Sequence, residues 1–119
     1  MKQIFTVPGK LPDLNQVIKR AKSHYMSYSS MKAENTEAVA WHCKQLKPME
    51  RIKLNITWYC ENRRRDPDNI TGGGQKFILD GLVSAGIIKD DGWKQIASIS
   101  HTMKVDREKP RVEVELEEA

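Results

Sequence analysis

The sequence predicts a single α/β (α+β) domain in which about four strands pack with helices. Polar and apolar residues alternate in four stretches, which indicates half-buried strands. Three other stretches carry apolar residues at helical spacing. A chain of 119 residues is long enough for one modest hydrophobic core. No internal repeat or low-complexity linker divides it, so we expect residues 1–119 to form one compact domain.

The first half of the chain predicts a strand, two helices and a second strand. The first strand covers residues 3–7, and Asp13 is suited to cap the helix that follows. We expect residues 27–30 to interrupt the helical structure and a second helix to cover residues 32–46. Residues 51–60 give the clearest alternation in the chain, with one apolar face and one polar, basic face.

The second half predicts a loop, a helix and two further strands. The three glycines of Thr71–Gly74 indicate a flexible loop or a close backbone approach to a phosphate. A helix covers residues 75–83, and Gly86 is expected to end it. Strands are predicted for residues 96–105 and for residues 112–117, because apolar side chains alternate with polar ones in both.

Composition and charge bound the class of protein. No stretch approaches the roughly 18 apolar residues of a membrane span, and the N-terminus lacks the apolar core of a signal peptide, so we expect a cytoplasmic protein without a membrane partner. Cys43 and Cys60 form no metal-type motif, and we expect both to be reduced and buried. The net charge of +4 favours nucleic acid only weakly.

The distribution of charge is more informative than its total. Residues 1–32 carry six lysines and arginines against one aspartate, whereas residues 106–119 carry three basic residues against six acidic ones. The molecule should therefore have one side that attracts a polyanion and one that does not.

The stretch Arg63-Arg64-Arg65-Asp66-Pro67-Asp68-Asn69-Ile70 directly follows the clearest predicted strand. Proline disfavours the α region for the residue before it, so Asp66 should be extended. In an extended segment, Asp66 and Asp68 point to the same side. Two converging carboxylates suit a hard cation such as Mg²⁺ or Mn²⁺, and the arginines suit phosphate. A solvated charged loop is the alternative that these eight residues leave open.

Two later stretches can complete such a site. Lys76 and Asp80 are four residues apart on a predicted helix, so they either form a surface ion pair or bring Lys76 over the carboxylates. Asp90 and Asp91 either form only a turn or supply the third carboxylate that a phosphodiesterase metal site needs.

Three aromatic residues and one histidine occur in patterns that favour packing. For Tyr25, Trp41 and Trp93, we expect packing in the core rather than stacking on bases. His101 falls on the apolar face of a predicted strand, so we expect a core or edge position rather than a metal ligand.

Several motifs occur in a fixed order along nearly the whole chain. They are Val7-Pro8-Gly9-Lys10-Leu11-Pro12 with Asn15, Arg65-Asp66-Pro67-Asp68-Asn69, Lys76, Asp80-Gly81-Leu82, Ala85-Gly86 and Asp90-Asp91. In this order they resemble the RusA family of Holliday junction resolvases, endonucleases of bacteria and their phages. The segment between Asn69 and Lys76 is longer than in the best-known form, and Gln95 lies further from Asp91 than usual. Both features resemble a phage or prophage branch.

The resemblance implies a role for each matching residue. Asp66, Asp68 and Asp91 match the metal-binding catalytic carboxylates, and Lys76 matches the catalytic lysine. With Lys76, the arginines Arg63, Arg64 and Arg65 would bind DNA phosphates.

The resemblance also implies a mixed sheet, a homodimer, and hydrolysis of branched DNA such as a four-way junction in recombination and repair. The cofactor would be Mg²⁺, with Mn²⁺ possible, and no small-molecule cofactor is expected. One alternative is a nuclease for flaps or forks in phage replication. The other is a non-catalytic DNA-binding domain whose acidic cluster is structural.

Overall fold

The computed structural model describes residues 1–119 as four strands and three helices. In chain order they are β1 (Lys2–Pro8), α1 (Leu14–Ser23), α2 (Tyr25–Cys43), β2 (Ile52–Cys60), α3 (Pro67–Ser84), β3 (Ile96–Val105) and β4 (Arg111–Glu118). The strands form one mixed sheet in the order β1-β4-β2-β3, in which β2 is parallel to β3 and the other pairs are antiparallel. The α+β prediction with a four-stranded mixed sheet is confirmed.

Strand β2 lies inside the sheet and carries the centre of the core. Its apolar positions Ile52, Leu54 and Ile56 are fully buried, whereas the alternate positions are exposed or half-buried. The buried face belongs to one cluster with apolar residues of α2 and α3, so the helices cover one face of the sheet. The alternation of apolar and polar residues predicts this strand correctly, because one of its faces is buried and the other faces solvent. None of the helices combines the length and apolarity needed to cross a membrane.

Both cysteines belong to this core, as predicted. Cys43 and Cys60 are free thiols and buried. Burial raises the pKa of the Cys43 thiol to about 11, because the thiolate would lose its hydration. Cys43 therefore does not have the environment of a reactive thiolate.

The break between the first two helices lies at His24 rather than at residues 27–30. His24 is extended, with φ −165° and ψ 126°, and residues 27–30 are part of α2. The prediction of an interruption at these residues was therefore wrong. Serine lowers helix propensity only modestly, and the burial of Met31 and Val39 further along α2 outweighs that cost.

Helix α3 begins eight residues earlier than its sequence pattern predicts. Pro67 is its first residue, where a missing N–H costs nothing, and residues 71–74 lie within the helix. The predicted glycine loop was wrong because packing overrides local propensity here. A Cβ on Gly73 would lie 2.3 Å from the backbone carbon of Asp13, and one on Gly74 would lie 2.6 Å from the Trp58 ring.

The end of α3 follows the prediction. Gly86 has φ 75°, and its N–H donates to the Val83 carbonyl at 3.0 Å. The N–H of Ile87 donates to the Leu82 carbonyl at 2.9 Å, which completes a Schellman motif. The chain then turns towards the segment that carries Asp91.

Alanine substitutions at two neighbouring glycines test the packing of α3. Gly73→Ala should lower the free energy of unfolding by about 2 kcal/mol or more, because its Cβ would meet backbone that cannot move freely. Gly72→Ala should be neutral or stabilising by up to about 1 kcal/mol, because it gains helix propensity. Its Cβ meets only the flexible Leu14 side chain, at 3.3 Å. Urea unfolding followed by circular dichroism measures both, and equal effects would contradict this packing.

Candidate active site

The turn between β2 and α3 exposes two arginines to solvent, whereas a third is partly buried and contacts an aspartate. Arg63 and Arg64 are exposed and form no ion pair. Arg65 is partly buried, and its Nη1 lies 3.5 Å from Oδ2 of Asp13. Asp13 is buried and caps α1 in a reciprocal capping box with Gln16. Arg65 therefore has a structural partner in addition to any phosphate that it binds.

The carboxylates Asp66 and Asp68 both lie at the N-terminus of α3. Asp66 is the N-cap residue with φ −73° and ψ 148°, so the extended conformation predicted before Pro67 is confirmed. Asp68 lies in the first helical turn, so the two residues are not the extended i and i+2 pair that the sequence predicted. Neither side chain forms an ion pair, and Asp66 makes no capping hydrogen bond. The positive end of the helix dipole favours both charges.

Asn69, the residue after this pair, holds two helices together. Its Oδ1 accepts a hydrogen bond from the backbone N–H of Asn15 at 2.9 Å. The two asparagines belong to separate motifs of the sequence. No sequence pattern indicates their contact, because they are 54 positions apart.

Lys76 lies between two carboxylates on the side of α3 that faces the following segment. Its Nζ is 3.2 Å from Oδ1 of Asp80 and 3.2 Å from Oδ2 of Asp91. The hydrogen bond to Asp80 is the main cause that raises the pKa of Lys76, and Asp91 adds to it. The ammonium group is therefore fixed and fully charged at neutral pH. The i, i+4 spacing predicted the first of these contacts, and the structure adds the second.

A surface pocket of about 380 Å³ adjoins this lysine. Its lining includes Lys76, Asp80, Asp91 and, from α2, Lys32 and Thr36. The Oδ2 atom of Asp80 and the Oγ1 atom of Thr36 are both buried without a hydrogen-bond partner. Unpaired polar atoms at such a pocket are suited to water or to a polar ligand.

The three predicted metal ligands do not form one ready-made group. No three His, Cys, Asp or Glu side chains lie close enough together to hold a metal ion. Along α3, Asp68 and Lys76 are separated by about 12 Å of helix. The donor chemistry nevertheless suits a hard cation, because Asp66 and Asp68 offer carboxylate oxygens without an ion-pair partner. Asp91 is the exception, since Lys76 already binds it.

His101 joins α3 to the edge of the sheet, a role that sequence reasoning missed. Trp58 can only donate through Nε1, and it lies 3.0 Å from Nδ1 of His101. The proton of the neutral ring is therefore on Nε2, which donates to Oε1 of Gln75 at 2.8 Å. Burial lowers the pKa of His101, which favours this neutral form. His101 lies on β3, an edge strand, which agrees with the predicted core or edge position.

The prediction that three aromatic side chains pack in the core was wrong. Tyr25 is 77% exposed, Trp41 is 64% exposed and Trp93 is 95% exposed. Tyr25 starts α2, and Lys44 covers the Trp41 ring, with Nζ 3.2 Å from the ring centroid. Trp93 lies between α3 and β3, where no periodic pattern exists to predict its exposure.

Exposed arginines, carboxylates at a helix N-terminus and a fixed lysine are the parts used by enzymes that hydrolyse phosphodiesters. The family model for endodeoxyribonuclease RusA matches residues 8–117 of the 119-residue chain. The chain therefore belongs to the RusA family of endodeoxyribonucleases. The resemblance seen in the ordered motifs is confirmed. Among individually curated proteins, no sequence matches this chain.

Asparagine substitutions test which carboxylate controls Lys76. Asp80→Asn should lower the Lys76 pKa more than Asp91→Asn does, because the hydrogen bond to Asp80 is the larger cause of the upward shift. NMR titration of the lysine side chains measures both values. Glu117→Gln serves as the control, because Glu117 lies opposite Lys2 and Lys53 in the sheet register and its loss should leave the Lys76 titration unchanged. A larger decrease in Asp91→Asn would contradict this assignment.

Proposed function

We propose that this chain is a Mg²⁺-dependent endonuclease that resolves four-way (Holliday) DNA junctions in recombination and repair. The observation that carries the proposal is the pair of carboxylates without ion-pair partners at the N-terminus of α3, directly after two exposed arginines. Membership of an endodeoxyribonuclease family identifies the bond that such a site would cut.

The proposed metal ligands are Asp66, Asp68 and Asp91. Their oxygen atoms suit Mg²⁺, and Mn²⁺ accepts the same donors. When bound, the cation would lower the pKa of a water molecule and polarise the phosphoryl oxygens. The dipole of α3 supports a compact negative charge at Asp66 and Asp68 without neutralising it, so these side chains stay available for a cation.

Lys76 supplies the positive charge of the proposed mechanism. It would stabilise negative charge that develops on the phosphate or on the leaving oxygen. Asp91 contacts Lys76 through Oδ2, which leaves its other oxygen to complete the proposed metal site. Asp80 holds Nζ independently at 3.2 Å, so the lysine does not depend on Asp91 for its position. The two carboxylates thus divide the tasks of holding the lysine and completing the metal site.

Arg63 and Arg64 are the first candidates for contacts to flanking phosphates. Both are exposed, without an ion-pair partner, and close in sequence to the carboxylates. Arg65 would contribute through the N–H groups that its contact with Asp13 leaves unused. Helix α1 buries none of its residues and carries the further exposed cations Lys19, Arg20 and Lys22. Such contacts position a DNA strand without reading its sequence.

A homodimer fits the proposed substrate. A two-fold dimer would present two equivalent sites to a roughly symmetric four-way junction, so that paired cuts become possible. The proposed setting is the cytoplasm of a bacterium, with the gene in a phage or prophage.

The first test of this function replaces one carboxylate. Asp68→Asn should reduce cleavage of a labelled four-way junction about 100-fold or more while junction binding is kept, because it removes a metal ligand but leaves the basic surface. EDTA should abolish wild-type cleavage, and linear duplex should be cut far less than the junction. Gel analysis of the strands measures position and symmetry of the cuts.

The remote variant Glu117→Gln is the matched control, because it also removes one carboxylate but should cleave normally. Preferred cutting of flaps or forks would replace the junction proposal with the wider branched-DNA nuclease. Binding without cleavage of any branched DNA, in Mg²⁺ or Mn²⁺, would refute the nuclease and leave a DNA-binding domain.

A second test concerns the arginines. The double variant Arg63→Ala, Arg64→Ala should weaken binding to junction and duplex alike. It should also reduce the slope of log Kobs against log salt by about 2, since each phosphate contact contributes roughly 0.9. The double variant Lys2→Ala, Lys53→Ala removes the same charge from exposed positions on β1 and β2. An equal change of slope in both variants would contradict a specific role for the arginines. Fluorescence anisotropy at several salt concentrations gives the slopes.

A further inference from the structure

Trp93 is a large aromatic side chain that the fold leaves uncovered. It is 95% exposed, more than any other large apolar residue of the chain. Trp58, by contrast, is buried against α3 and β3. Burying a tryptophan is among the larger favourable contributions to folding, and Trp93 makes no such contribution. Its exposed surface is therefore available to a ligand.

Hydrogen bonds hold the backbone that follows Trp93. The N–H groups of Gln95 and Ile96 donate to the Gly92 carbonyl at 3.1 and 3.0 Å. The Gln95 carbonyl accepts from the N–H of Ile52 at 2.8 Å, which attaches the segment to the start of β2. On the other side, the Asp91 carboxylate is held by Lys76. The indole thus extends from a hydrogen-bonded turn, two residues along the chain from the proposed catalytic carboxylate of Asp91.

The charges around Trp93 suit a nucleic acid better than an apolar protein surface. Lys89 and Lys94 are exposed on the two sides of the turn. Lys76 offsets the Asp91 charge, which leaves Asp90 as the exposed acidic residue of the segment. A flat ring with cations nearby is the usual platform on which a nucleic-acid base stacks.

We propose that Trp93 stacks on a base that is exposed at the branch point of the DNA substrate, and that it thereby positions the strand to be cut at Asp91. Bases inside a duplex are already stacked and hidden, so Trp93 would engage only where pairing or stacking is interrupted. It is a positioning residue that favours branched over linear DNA. The inference rests on the proposed function and adds to it a residue that selects the substrate.

The test uses four-way junctions that carry the fluorescent base 2-aminopurine at the branch point or, for comparison, in the middle of one arm. Binding is measured in EDTA, so that no strand is cut. Wild-type protein should change the fluorescence at the branch point only. Trp93→Ala should lose this change and bind the junction about tenfold more weakly, with duplex binding unaffected. Trp93→Phe should restore most of both, because it keeps an aromatic ring.

Trp41→Ala is the matched control, because it removes another exposed tryptophan from a different part of the surface, and it should behave as wild type. An unchanged fluorescence signal and junction affinity in Trp93→Ala, with wild-type protein still cutting junctions, would overturn the role of Trp93 and leave the function standing. Loss of self-association in Trp93→Ala, measured by sedimentation, with no loss of the fluorescence change, would also overturn it and indicate contact with a second copy. Failure of wild-type protein to distinguish junction from duplex would refute the proposed function itself.

Discussion

The close approach of α3 to the chain segment before α1 is the constraint on which the rest of this structure depends. At Gly73, a side chain of even one carbon would lie 2.3 Å from the Asp13 backbone. The contact brings Asp13 to its position as N-cap of α1 and as partner of Arg65. The hydrogen bond from the backbone N–H of Asn15 to the side chain of Asn69 adds a second contact between α1 and α3. Because Gly73 has no side chain, the first half of α3 can pack directly against the backbone that precedes α1.

Much of the fold could be predicted because apolar and polar residues alternate in strands that have one buried face. Residues 51–60 and 111–118 are examples. The start of α3 could not be predicted, because glycines argue against a helix locally and only their tertiary contacts explain them. The same distinction holds in the candidate site. Lys76 and Asp80 follow from helical spacing, whereas the contact between Lys76 and Asp91 depends on how a distant segment returns to the helix. The exposure of Trp93 depends on an irregular turn, which has no periodicity.

The candidate site is organised along one helix rather than around one point. The carboxylates Asp66 and Asp68 lie at its start, Gln75 contacts His101 further along, and Lys76 lies between two acids on another side. Helix geometry converts sequence spacing into fixed backbone distances. The backbone positions of these residues are therefore set by α3, although the three proposed metal ligands do not lie close together. A long substrate that contacts several of these positions at once suits this arrangement better than a small molecule does.

The sheet order has a consequence for the speed with which this arrangement can form. Strand β2, which leads into the carboxylates, pairs only with strands that follow it, and Asn55 meets Glu115 at a separation of 60 positions. Strand β1 pairs only with β4, and the Met1 amino group reaches Glu118 across 117 positions. Chains dominated by such distant contacts fold slowly, because loop-closure entropy is lost before pairing can offset it. The turn that carries Asp66 directly follows β2, so the strand that leads into it has no sheet partner until β3 or β4 joins the sheet.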